Sequence, residues 1–210
     1  MHLWDWREYF TGYFPEIEDI DWTSWYYKPG MPDYKPEFDR SLVLACWKLA
    51  DKWLLYDQGQ LLDSDFSPED LTDLSAPQVQ EFLSYLLQKT VLKAATVQRM
   101  NEVYQLSDSL NCEILFRFLR LGLRSKWEPS VDKTLGFLQT MGRLKFVRPL
   151  YRDLGKWEDK KKLAIDFFTK NKHLLMSMVA DGVLKDLHIW YAWNTLFLIE
   201  WVYEQLIAKL

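Results

Sequence analysis

Apolar residues along this chain recur every three or four positions, the period of a helix with one buried face, and nowhere alternate convincingly with period two. The pattern predicts an all-α protein. A short aromatic helix is expected over 4–14, followed by a Tyr- and Trp-rich loop from Trp22 to Pro36 that Pro29-Gly30, Pro32 and Pro36 punctuate. Asp39 is the expected N-cap of a helix running to about Tyr56, with Leu42, Ala45, Cys46, Leu49 and Trp53 on its apolar stripe. Ser67-Pro68-Glu69-Asp70 reads as a helix start, with proline at the first position and acids at the positive end of the dipole. Ser75 opens another helix that carries Val79, Phe82, Leu83 and Leu86. Further helices are expected over 94–105, 110–125, 128–141, 147–155, 158–171, 175–186 and 189–209. Amphipathic helices of this length with short joints suit a two-layer helical array, and no strict repeat unit is present in the sequence.

Composition sharpens that picture in three ways. Only eight Gly and eight Pro interrupt 210 residues, as long helices require, while eleven Trp, eleven Tyr and twelve Phe give the core an aromatic character. A net charge of −4 and the lack of a basic stripe interleaved with aromatics argue against a nucleic-acid partner. Cys46 and Cys112 fall among apolar helical positions, which points to buried thiols in a reducing compartment rather than a disulfide scaffold. The first residues, MHLWDW, lack the features of a signal peptide, so a cytoplasmic location is expected.

Catalytic chemistry is scarce. His2, His173 and His188 are scattered, none is followed by Glu, and with two cysteines they make no recognisable metal-ligand spacing. Neither a Gly-x-Ser-x-Gly elbow nor a phosphate-cradling loop occurs. The carboxylates Glu16, Glu18, Asp19 and Asp21, and again Asp63, Asp65, Glu69 and Asp70, read as solvated loops and helix starts rather than acid/base pairs. Arg117, Arg120 and Arg124 lie at helical spacing, as an acid-paired stripe or as a face toward a partner domain. The aromatic cluster at 22–34 reads as a clamp between its loop and a helix, and Met176 and Met178 as fillers of core gaps.

The segment MGRLKFVRPL, residues 141–150, carries the most chemistry. Gly142 is expected just past a helix end in a left-handed turn, and Pro149 in the first turn of the next helix. Arg143 and Lys145 then share an extended connection and, two positions apart, point the same way. An arginine fork beside a lysine point charge suits a carboxylate, although spacing alone favours a solvated basic corner.

Several stretches together resemble a known family: DWTSWYYKPGMP at 21–32, LTDLS at 71–75, RMNEVY at 99–104, RFLRL at 117–121, SKWE at 125–128, GRLKFVRPL at 142–150 and KDL at 185–187. In this order and spacing they are similar to the C-terminal helical domain of the leukotriene A-4 hydrolase and aminopeptidase B branch of the zinc aminopeptidases. The resemblance implies a two-layer, armadillo- or HEAT-like α-α superhelix of about nine or ten helices. It also implies a hydrolase active in proteolysis, a cytoplasmic metallopeptidase in which this domain lines one wall of the substrate channel. Zinc and its catalytic residues are expected in a separate catalytic domain, the implied partner, with no cofactor in this chain. The Gly-Arg-x-Lys connection is implied to hold the free carboxylate of a peptide or a fatty acid. That maps onto Arg143 as principal anchor, with Leu144 and Lys145 beside it, and turns the reading of this pair toward the carboxylate.

Two departures bear on function. The sequence contains neither His-Glu-x-x-His nor Gly-x-Met-Glu-Asn, so the chain is expected to lack catalysis of its own, and whether it counts as an enzyme is left open. The expected organisation is a family domain over 1–187, with an entry loop at 22–37, and an extra apolar helix over 188–210 packed on the same domain. Asn194, Glu200 and Glu204 argue against that tail as a membrane span. Two alternative functions remain open at this level: a stand-alone helical protein-interaction scaffold, and a membrane-surface protein anchored by the tail.

Overall fold

A computed structural model describes residues 3–17, 20–31 and 37–189, and among them every regular element is helical. The chain divides into two units, residues 1–39 and 40–210. The first unit holds α1 (Leu3–Tyr13) and the one-and-a-half-turn α2 (Trp22–Tyr26). A helix therefore forms where an aromatic loop was expected, because Asp21 accepts a hydrogen bond from the Ser24 N–H at 3.0 Å and caps it. Trp22 meets Trp6 and Phe10 of α1 edge-on at 5.9 and 5.8 Å, and the Arg7 guanidinium lies over the same ring. The aromatic cluster is thus a clamp, as its composition suggested, and the helix it grips is α1.

The second unit is a helical array: α3 (Ser41–Asp57), α4 (Ala76–Gln88), α5 (Ala94–Tyr104), α6 (Cys112–Arg124), α7 (Pro129–Thr140), α8 (Leu144–Lys156), α9 (Glu158–Asn171) and α10 (Ser177–Asp186). Helices α3, α4, α6, α8 and α10 lie side by side in that order. Behind them α5 packs on α3 and α6, α7 on α6 and α8, and α9 on α8, which makes the second layer of the superhelix.

Local chemistry sets most of the boundaries. Ser75 caps α4 as expected, with its own N–H donating to Gln78 Oε1 at 3.1 Å. Helix α3 begins one residue later than expected, with Arg40 rather than Asp39 in the cap position, since Arg40 O receives the first-turn N–H of Leu44. Its buried stripe is Cys46, Leu49, Ala50 and Trp53, whereas Leu42 is two-thirds exposed and Ala45 is exposed. The start at Ser67-Pro68 closes only a 3-10 turn, Pro68–Leu71. The predicted helix at 189–209 lies outside the described residues except for Ile189.

Two hydrophobic clusters fill the array, and α6 belongs to both. Its Ile114, Phe118 and Leu121 enter a cluster with Trp53, Phe82 and Met100, while Phe116, Leu119 and Leu123 enter one with Phe146, Leu150 and Phe168. Such two-sided burial leaves the Arg117, Arg120 and Arg124 stripe of α6 partly open, with Cys112, Glu113 and Leu115 in its first turn. At Gly122 a Cβ atom would stand 2.5 Å from the Ser130 Cβ, so this glycine lets α7 close on α6. Cys46 is buried and Cys112 half-buried, and both thiols are free.

Candidate functional site

The segment singled out in the sequence joins α7 to α8, with a geometry that differs from the expected one. Met141 and Arg143 are extended, and Gly142 does not adopt the left-handed φ expected of it. Helix α8 starts at Leu144, three residues before the predicted boundary, so Lys145 stands in its first turn and Pro149 inside the helix. The reason is that the N–H groups of Phe146 and Val147 both donate to Arg143 O, at 2.9 and 3.0 Å, and nucleate the helix ahead of the proline. Phe146, Val147, Leu150, Tyr151 and Leu154 are all buried, and that continuous helical stripe outweighs the one backbone donor Pro149 lacks.

The two cations nevertheless meet at one place. The Arg143 guanidinium lies 5.6 Å and the Lys145 ammonium 4.8 Å from the ring centre of the fully buried Phe146. Both line a cavity of about 560 Å³, together with Gly142 and Leu144. Its far wall is apolar: Leu174, from the 3-10 turn ahead of α10, and Met176, Met178 and Val179. Met176 and Met178 are 73% and 72% exposed, so they are surface residues at a cavity mouth and not the core fillers their type suggested.

The electrostatics of Arg143 and Lys145 are unlike. Lys145 Nζ is paired with Glu113 Oε1 across to α6, and Glu113 is also held by Arg117 Nη1 at 2.9 Å. The hydrogen bonds from Lys145 and then Arg117 hold the Glu113 carboxyl below its ordinary range, despite partial desolvation. Among the described residues Arg143 has no anionic partner. No side chain caps the first turn of α8, so its leading N–H groups add positive potential beside the two side chains. Leu144, the residue between the cations, is itself partly exposed at the rim. Sequence reasoning missed Glu113 because it lies thirty-two residues away on another helix; its one local signal is the four-residue spacing to Arg117.

Other charged clusters are structural. Arg120 and Arg124 of the α6 stripe both bind the buried Asp153 of α8, at 2.7 and 3.4 Å, which settles that stripe as acid-paired. A second cavity of about 410 Å³ is lined by Arg124, Lys126 and Lys156. These cations stand at the C-terminal ends of α6 and α8, where they complement the negative ends of the helices. The acidic runs serve as loop and turn anchors: Asp70 accepts from the Ser67 N–H at 3.0 Å and Asp65 from the Leu62 N–H at 2.7 Å. Among the described residues no group of three or more His, Cys, Asp and Glu side chains converges as metal ligands would.

Comparison with known proteins places this chain in a family. Residues 74–187 match the family model described as leukotriene A4 hydrolase, C-terminal. The chain is 38% identical over 189 residues to the leukotriene A-4 hydrolase of Xenopus laevis, covering 88% of this chain and 31% of that protein. It is 40% identical over 174 residues to leucine aminopeptidase 2 of Emericella nidulans, covering 81% of this chain and 27% of the other. Its fold superposes on the solved leukotriene A4 hydrolase of Saccharomyces cerevisiae with a TM-score of 0.77 at 28% identity, over 89% of this chain and 32% of that one. The chain thus spans under a third of the length of these relatives. It belongs to the leukotriene A4 hydrolase family, as the C-terminal helical domain of that family.

Proposed function

We propose that this chain forms a wall of a substrate channel and holds the substrate's free carboxylate, with Arg143 as principal anchor, Lys145 as its helper and Leu144 between them. The carrying observation is a guanidinium without an anionic partner among the described residues, beside a second cation and opposite an apolar wall. A planar fork suits a carboxylate, and the first-turn N–H groups of α8 add to its attraction. Relatives of this chain are named as hydrolases and aminopeptidases and are about three times its length, so the partner is the remainder of such an enzyme, and the ligand a peptide or fatty-acid carboxylate. Holding that carboxylate at one end orients the rest of the substrate for chemistry elsewhere, and no chemical step is assigned to this chain.

The test is an NMR titration of the 210-residue chain with octanoate and tri-alanine, against octanamide and tri-alanine amide as neutral controls. The acids are expected to perturb the resonances of residues 142–146 and the amides to leave them in place. Arg143→Ala is expected to weaken binding about tenfold or more, and Lys145→Ala about threefold, since Glu113 already holds that lysine. Equal responses to acids and amides, or native affinity in folded Arg143→Ala, would remove the anchor.

A further inference from the structure

The cavity lies between the starts of α8 and α10 and the residues just ahead of each, and a separate charge cluster fixes those helices to each other. Asp186, at the end of α10, accepts from Arg148 Nε at 2.8 Å and Arg148 Nη2 at 3.0 Å, and from Arg152 Nη2 at 3.1 Å. Its side chain is only 10% exposed. Burial raises the affinity of this carboxyl for a proton, but the two arginines more than offset that, and it is held below its ordinary range. The Arg148 side chain runs directly over Gly182: a Cβ there would lie 2.6 Å from Arg148 Cδ and 2.7 Å from its Nε. Glycine at this position is therefore what allows the clamp to form.

Helix α10 is ten residues long, a rod of about 15 Å. Its C-terminal end is fixed to α8 by the clamp, its middle by the buried Val183 and its first turn by the buried Val179. Its N-terminal end brings Met178 and Val179, with Met176 just before, opposite Arg143 and Lys145. A short rod moves as one body, so the clamp acts together with the buried valines in placing its N-terminal end. Resting on the carboxylate reading, we infer that Arg148, Arg152 and Asp186 are positioning residues. The clamp sets the gap between the first turn of α8 and the start of α10, and so the width of the cavity into which the carboxylate's attached chain must fit. None of the three lines that cavity.

The experiment uses the 210-residue chain with ¹³C-methyl methionine, at a temperature where every variant is fully folded, and octanoate as the probe. Asp186→Asn, Gly182→Ala and Arg152→Ala are expected to shift the Met176 and Met178 methyl resonances before any ligand is added. They are also expected to raise the octanoate dissociation constant about threefold to tenfold. Asp186→Glu, which keeps the charge, is expected to recover part of the loss. Asp108→Asn, which removes an exposed ion pair with Lys133, is expected to change neither reading. A purely structural clamp would lower thermal stability and leave the affinity of the folded chain native, and that result overturns the inference. So would shifted methyls with unchanged affinity. If Asp186→Asn does not fold, Gly182→Ala and the partly exposed Arg152→Ala decide. Octanoate binding lost in Arg143→Ala but native in the clamp variants overturns this inference alone. No octanoate binding by the native chain overturns the carboxylate reading and this inference with it.

Discussion

The two halves of the array are held together by different physics. Around α3 to α5 a polar chain runs from the buried Trp53 to the half-buried Tyr104 and Asp70: Trp53 Nε1 donates to the Tyr104 hydroxyl at 3.3 Å, and that hydroxyl donates to Asp70 Oδ2 at 2.7 Å. Trp53 is fully buried, with its ring stacked 3.9 Å from that of Phe66. Around α8 to α10 the core is dominated by Phe146, Val147, Leu150, Leu154, Phe168 and Val183, and the directional links are ion pairs, in which arginines of one helix clasp a buried or nearly buried aspartate of the next. Hydrogen bonds inside the first half set a unique packing there, as satisfied interior networks do. In the second half hydrocarbon supplies the cohesion and ion pairs between helices set the register. The candidate site lies on the second half, so its geometry depends on charge.

The sharpest way to break this comparison is Trp53→Ala. Removing a fully buried indole from an aromatic stack is expected to cost about 3–5 kcal/mol in urea unfolding. Amides of α3 to α5 should lose exchange protection before those of α8 and α10; equal loss throughout would mean that the halves do not differ. Tyr104→Phe is a smaller test of this polar chain. Burial and the hydrogen bond to Asp70 push the Tyr104 hydroxyl well above the ordinary tyrosine range, so it remains a neutral donor at every usable pH. Its removal leaves the Trp53 N–H and an Asp70 oxygen without that partner, and about 1–2 kcal/mol of stability should be lost.

Acid should act on the other half, with a smaller effect. Asp186 and Glu113 both have folded pKa values below their ordinary ones, so the unfolded chain takes up their protons more readily. The stability they supply is complete above the ordinary carboxylate range of about 4 and fades as the pH falls from there through the lowered folded values. Hydrogen exchange compared between neutral and mildly acidic solution should therefore show α8 and α10 loosening while α3 to α5 stay protected. Loosening of α3 to α5 first would reverse the assignment of charge to the second half.

Most of the architecture was legible in the residues. Helix stripes such as Val79, Phe82, Leu83 and Leu86 appear in the sequence and are all buried, because a 3.6-residue period has one structural meaning. The start of α8 was misread because the proline rule is local. It cannot weigh one missing donor at Pro149 against a buried helical stripe whose first member, Phe146, lies ahead of the predicted boundary. Arg143 and Lys145 could be found by residue type and spacing. Glu113, Met176 and Met178 could not, since their places beside the pair arise from helix–helix packing across more than thirty residues of chain. For the same reason the Asp186 clamp left no signature in sequence.

One consequence follows from the anion that Lys145 already holds. On the proposed reading, a carboxylate arriving there does not meet a bare cation; it displaces Glu113, which keeps Arg117 as its second partner. Occupation of that position is thus an exchange of one carboxylate for another, with nearly as many charge pairs after as before. The dependence of affinity on ionic strength should then report Arg143 almost alone, so that two cations at the cavity rim behave, toward added salt, as one.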